Sequence, residues 1–228
     1  MIILALDSTA VVASVALCDD KKLLCSYTVN AGNTHSETLL PMVESALKAT
    51  NLTVDDIELF ALSEGPGSFT GVRIGAATLK GLAFGKDKPC VGVSTLEALA
   101  YNLCAFEGIL CPCMNARRNQ VYNALFRCDG KGNIERLCPD RAIGVEELEE
   151  ELKGYSEPIR VCGDGAFLLT GEYGFVPEIL IHQNGYSVAM CALKAFGEGK
   201  YTSDDKIAPT YLRPSQAERT RAEKENGN

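Results

Sequence analysis

The sequence predicts an α/β fold of two similar lobes. Three observations carry that reading. Short apolar strand signals alternate with amphipathic helix signals along most of the 228 residues. The chain opens on an N-terminal strand followed by two hairpin-linked strands, and a new run of strands begins after about residue 104. No low-complexity segment or linker separates the halves, so the lobes are expected to share a crevice. The expected divisions are 1–103 for an N-terminal lobe and 104–216 for a C-terminal lobe, whose last helix is free to pack back on the first. Residues 217–228, charged and poor in apolar side chains, are expected to be a flexible tail.

The elements follow in order. Residues 2–6 (I-I-L-A-L) read as a buried strand and 11–18 as an alternating one. After the polar turn D-D-K-K, 23–29 reads as a third. Residues 35–50 read as a helix, because Leu39, Met42, Val43, Ala46 and Leu47 recur at helical spacing. Leu40 lies off that stripe and asks for a second apolar contact. A strand over 57–62 runs into the loop G-P-G-S-F-T-G-V-R-I-G (65–75), and 70–84 reads as a helix rich in glycine and alanine. Each helical glycine costs about 1 kcal/mol relative to alanine, so this helix is expected where neighbours cross it closely. A strand at 90–93 precedes Ser94-Thr95-Leu96-Glu97, which reads as a capping box. The second half reads as strands at 109–114, 121–128, 134–137 and 159–162, an acidic helix at 145–152 and a last helix at 186–196. Gly163-Asp164-Gly165 repeats the strand-to-helix turn idea.

Composition narrows the function. At 46% hydrophobic and 23% charged this is ordinary globular material. No apolar run reaches the roughly 18 residues of a membrane helix. The opening M-I-I-L-A-L-D lacks a basic leader, which points to a cytoplasmic protein and no membrane role. The net charge of −8 means that, in any RNA pathway, a partner should supply most phosphate contacts. Arg117, Arg118 and Arg127 read as a solvated patch. Ten cysteines form no C-x-x-C, and Cys111-Pro-Cys113 suits neither a zinc knuckle nor a redox pair. They are expected to be reduced thiols packed as small hydrophobes.

No catalytic constellation is complete. The 65–75 loop lacks the Gly-Lys-Ser/Thr ending of a phosphate loop, and its G-x-G-x-x-x-G spacing is not a dinucleotide fingerprint. Two readings stay open. Amides around Gly65, Gly67 and Ser68 could hold an anion at the helix start, or the glycines could let backbones approach. Asp7, with Ser8 and Thr9, could position a metal-bound phosphate or simply cap its turn. His35 and His182 belong to no metal motif, and no serine sits in a nucleophile elbow.

Four segments carry a resemblance: A-L-D-S-T (5–9), the glycine loop, N-A-R-R-N-Q-V-Y (115–122) and P-T-Y-L-R (209–213). In this order they make the chain resemble the bacterial TsaB family, also called YeaZ, over nearly its whole length. The resemblance implies an actin/sugar-kinase/Hsp70-like fold of two lobes. It also implies a place in the machinery that makes N6-threonylcarbamoyladenosine at position 37 of tRNAs reading ANN codons. Catalysis there belongs to the paralogous TsaD subunit, with which the TsaB-like subunit forms a heterodimer, and the ATPase TsaE joins the pair. The paralogue's metal motif is V-x-H-x-x-x-H; the matching stretch runs from Val93 to Leu99, and Thr95 and Leu99 stand where the histidines would be.

A non-catalytic copy is thus implied, binding no cofactor alone, with ATP or ADP and a metal ion in the partner subunits. The partner face implied by the resemblance is the first two helices: His35, Leu39, Leu40, Pro41, Val43, Glu44, Leu47, Val72, Arg73, Ala76 and Lys80. Nucleotide contact through Asp7, Ser8, Thr9, Gly65, Gly67 and Ser68 is the secondary expectation. tRNA would be met mainly through partners, and in isolation both a homodimer through the same helices and a monomer stay open. Asn115 departs from the family's usual aspartate. The rival reading is a stand-alone ATPase or small-molecule kinase of the same fold; a peptidase has the least support.

Overall fold

The computed structural model describes residues 1–32 and 34–213; the tail expected at 217–228 lies outside them. The N-terminal half builds a five-stranded sheet from β1 (Ile3–Asp7), β2 (Ala13–Cys18), β3 (Leu23–Val29), β4 (Leu59–Gly65) and β5 (Cys90–Ser94). Their order is β3-β2-β1-β4-β5, with the first three antiparallel and β1, β4 and β5 parallel. Every residue of β1 is buried, which requires cover on both faces. Alternate side chains divide the work. Leu4, Leu6, Phe60 and Leu62 pack beneath α1 (His35–Thr50) and α2 (Phe69–Ala83). Ile3, Ala5, Leu59 and Ala61 pack against α3 (Thr95–Tyr101) and α6 (Gly185–Gly197).

The second sheet has seven strands: β6 (Glu107–Arg117), β7 (Gln120–Asn123), β8 (Phe126–Asp129), β9 (Ile134–Arg136), β10 (Arg141–Gly144), β11 (Ile159–Cys162) and β12 (Gly174–Phe175). β6 lies at its centre, antiparallel to β7 and β8 and parallel to β11. One face is covered by α4 (Val145–Leu152); the other meets α3 and the short α5 (Glu178–Ile181). The architecture is the actin/sugar-kinase/Hsp70-like α/β fold that the motifs imply.

Four local differences from the sequence reading have physical causes. The 121–128 run is two strands, because it crosses β6 opposite Pro112. A proline has no N–H to donate, so the ladder breaks there, and the Asn123 amide donates instead to Pro112 O and Ala124 O, both at 3.1 Å. β10 has no apolar run, and its strand character comes from pairing with β7. The capping box at Ser94 is half made: Ser94 Oγ accepts the Glu97 amide at 3.2 Å, while the Glu97 carboxylate accepts from Arg136 at 3.0 Å. Gly163-Asp164-Gly165 leads only to a single tight turn over Ala166–Leu168, its glycines pressed against the β6 backbone at Cys113 and Met114.

All ten cysteines are free thiols, seven buried and three (Cys25, Cys104, Cys138) half-buried. Burial pushes Cys18 up to about 12 and Cys90 up to about 11. Titration of the native protein with a thiol reagent near pH 8 should therefore show at most three fast groups, and ten after unfolding. A fourth fast thiol would contradict the packing role.

Candidate functional site

The β1 end and the glycine loop are knitted together. Asp7 Oδ1 accepts the Thr9 amide at 2.9 Å and the Thr9 hydroxyl at 2.8 Å. Ser8 Oγ donates to Gly71 O at 2.9 Å, and Thr9 O accepts the Ser68 amide at 2.6 Å. A side chain at Gly67 would strike the Thr9 backbone, and one at Gly71 the Ser8 carbonyl. From the other side Thr210 closes in: its amide donates to Glu64 O at 2.7 Å, and its carbonyl blocks any Cβ at Gly65, whose φ is +130°. The Gly71 amide is taken by Ser68 Oγ at 3.2 Å, the N-cap of α2. The glycines thus serve backbone-to-backbone packing. The Ser68 and Gly71 amides are engaged by the chain itself.

The four motifs converge here. Tyr211 stacks on Phe69 with ring centroids 4.7 Å apart, and the Arg73 guanidinium lies 3.8 Å over the Phe69 ring while donating to Tyr211 Oη at 2.8 Å. Arg213 donates to Ala116 O at 3.2 Å and to the Gln120 side chain, joining the closing segment to the β6–β7 hairpin. Sequence reasoning placed each motif but not this strap, because contacts spanning 138 residues leave no local signal.

Beside the knot lies a row of unsatisfied polar atoms. Asp7, Ser63 and Thr95 are fully buried, and Asp7 Oδ2, Ser63 Oγ and Thr95 Oγ1 have no hydrogen-bond partner among the described residues. Burial pushes the Asp7 carboxyl above the ordinary carboxylate range, with the neighbouring Ser63 and Thr9 groups pulling the other way. Glu64 is likewise raised by burial. No group of three or more metal-ligating side chains occurs among the described residues.

The helices offer a divided surface. His35 Nε2 meets Ala10 O at 2.6 Å and pins the start of α1 over the β1–β2 turn. Asn51, in the left-handed region at φ 55°, returns its amide to the last carbonyls and ends the helix. Of the residues expected to face a partner, Leu39, Val43, Val72 and Ala76 point into the chain's own core and are corrected to core positions. They recur at helical spacing because they cover the sheet. Leu40, Pro41 and Glu44 on α1 and Arg73 on α2 face outward; His35, Leu47 and Lys80 are half-buried, and Lys80 Nζ donates to Asp205 O at 3.0 Å. Two features of this face escaped sequence reasoning: Ala77 and Gly81, exposed on α2 with open space at Gly81, and Phe84, 80% exposed just past its end.

Fold and site together define an actin/sugar-kinase/Hsp70-like protein whose glycine loop is filled by its own backbone. The family model described as "TsaD: tRNA N6-adenosine threonylcarbamoyltransferase" matches residues 29–157. The "tRNA threonylcarbamoyladenosine biosynthesis protein TsaB" of Bacillus subtilis is 32% identical over 226 residues, 96% of each chain. That of Escherichia coli is 31% identical over 225 residues, 95% of this chain and 96% of the relative. The solved structure of YeaZ from Pseudomonas aeruginosa superposes with a TM-score of 0.81 at 24% identity, covering 92% of this chain and 99% of that one. The chain belongs to the TsaB family.

Proposed function

We propose that this chain is a non-catalytic scaffold for threonylcarbamoylation of adenosine 37 in tRNAs reading ANN codons. It binds a TsaD-like catalytic subunit and holds it in an active form. The observation that carries the reading is the burial of Thr95 and Leu99, the positions of the paralogue's metal-binding histidines. Leu99 belongs to an apolar cluster with Leu96, Leu103 and Leu110, so no ligand set can assemble there. The outward surface of α1 and α2, centred on Leu40, Pro41, Ala77 and Gly81, is the face offered to the partner. ATP or ADP and a metal ion belong to the TsaD-like and TsaE-like subunits, and two copies of this chain share the same face when the partner is absent.

The kinase reading draws on one observation, the buried carboxylate of Asp7; the close backbone packing of the glycine loop favours the scaffold reading over it. Threonylcarbamoylation in a reconstituted mixture, with and without this chain, tests the proposal alongside ATP binding by the chain alone. Activity should require the chain, and the chain alone should bind no ATP. Tight ATP binding and turnover without partners would sink the scaffold reading.

A further inference from the structure

We infer that the trough between α3, α6 and the β8–β9 hairpin binds a small acid, an apolar body carrying a single carboxylate. The inference goes beyond the scaffold reading and does not depend on it. Helices α1 and α2 cover one face of the first sheet, and α3 and α6 cover the other. A partner docked on α1 and α2 therefore sits across the sheet from the trough.

The packing of small residues opens the space. Helix α6 lies close on the sheet because Ala189 and Ala192, which it turns inward, are small. Met190 and Leu193 on its flank are left half-buried. The second sheet reaches over from the far side, where its β8–β9 turn is tied to the end of α3. There the Gly132 amide donates to Cys104 O at 3.1 Å. Between the three elements remains a chamber of about 320 Å³, walled by Tyr101, Ile134, Met190 and Leu193. That is within the size range of small-molecule sites, and solvent would fill it with about ten waters set against apolar walls. Tyr101 and Cys191, both in the lining, carry a hydroxyl and a thiol with no hydrogen-bond partner among the described residues. An apolar body gains there by displacing water that the walls cannot bond.

The trough continues into a second chamber of about 390 Å³. Glu97, Cys191 and Lys194 line both, so the two are continuous. The second chamber is charged, with Arg136, Lys194 and Lys200 against Glu97 and Glu198. Its carboxylates are engaged: Glu97 accepts from Arg136 at 3.0 Å and Glu198 from Lys200 at 2.6 Å. Asp140, which also accepts from Arg136, is turned to Ser94 and does not line the chamber. The lining thus carries one positive charge in excess, and Lys194 stands where the apolar chamber meets it. A single carboxylate on an apolar body matches both halves at once. An ammonium would face three cations, and a doubly charged phosphate would press on Glu97 and Glu198.

Octanoate is the probe, with octanol and octylamine as controls of the same chain length, each titrated calorimetrically into the full chain. Octanoate should occupy one site with a Kd of about 1 mM or tighter. At ten times Kd it should raise Tm by about 4 °C. Lys194 is exposed and makes no hydrogen bond or ion pair among the described residues, so Lys194→Gln should melt as wild type does. That variant should lose about fivefold in octanoate affinity and leave octanol unchanged. Met190→Trp, which fills the apolar chamber, should weaken the acid and the alcohol alike. Absence of saturable octanoate binding would overturn the inference. So would octanol or octylamine binding as tightly as octanoate, or an unchanged octanoate affinity in Lys194→Gln. Should Met190→Trp melt lower than wild type, the Lys194→Gln comparison alone decides.

Discussion

Leu40→Arg in α1 and Ala77→Arg in α2 should each abolish the heterodimer, and threonylcarbamoylation with it, while leaving the fold intact. Leu40 is 45% exposed although it sits one residue from Leu39, which is 1% exposed. A leucine on a helix's outer face gains nothing from folding, so its natural use is a second, intermolecular burial. Pro41 next to it cannot donate an amide into the helix, and Ala77 and Gly81 leave the neighbouring part of α2 low enough for a partner helix to come close. An arginine at either position would be desolvated opposite apolar surface without a matching carboxylate. That costs about 3–5 kcal/mol, on the order of a thousandfold in Kd.

The control is adjacent in sequence. Ala76→Arg or Leu39→Arg forces a cation among Leu4, Phe60 and Leu79 and should unfold the chain outright. Calorimetric titration against the catalytic subunit, with a thermal melt for every variant, separates the two outcomes. Wild-type affinity in a folded Leu40→Arg protein would mean that the partner binds elsewhere.

That contrast marks what the sequence can say. The extent of α1 was legible from its apolar period, and the structure places it at His35–Thr50. Which face of it meets a partner was not. Apolar residues at helical spacing report burial, and burial in the chain's own core leaves the same trace as burial in a complex. Only the off-stripe Leu40 distinguished the two. The glycine loop was legible as either an anion site or a close approach, and nothing local told what approaches: Thr9 lies almost sixty residues upstream and Thr210 far downstream. The split of β7 from β8 was encoded in Pro112, on a different strand, where no reading of 121–128 alone could find it. Local signals reach local structure, and the site is made of contacts between distant segments.

Asp7→Asn should stabilise the protein by about 2 kcal/mol at neutral pH, because a fully buried carboxylate is an unfavourable thing to fold around and the Thr9 and Ser63 groups beside it offset that burial only in part. The substitution keeps the useful half of the side chain. An amide oxygen still accepts both Thr9 bonds, and the new NH2 can donate to Ser63 Oγ, itself unsatisfied. The pH dependence gives the argument a sign. Burial raises the folded-state pKa of Asp7 above its ordinary 3.8, so the native state holds the proton more tightly than the unfolded chain does. The carboxyl's contribution is then fully present below about pH 4 and is lost as pH rises through the folded value. Asparagine has no such transition. Urea denaturation of both proteins should therefore find them close in stability near pH 4, with the gap opening as pH rises through the raised folded value and then levelling off. A gap that is absent at neutral pH, or equal at both ends, would mean that an unseen partner satisfies Oδ2. If the gap opens as expected, Asp7 is a destabilising group that folding alone does not explain, the mark of a side chain kept for something other than stability.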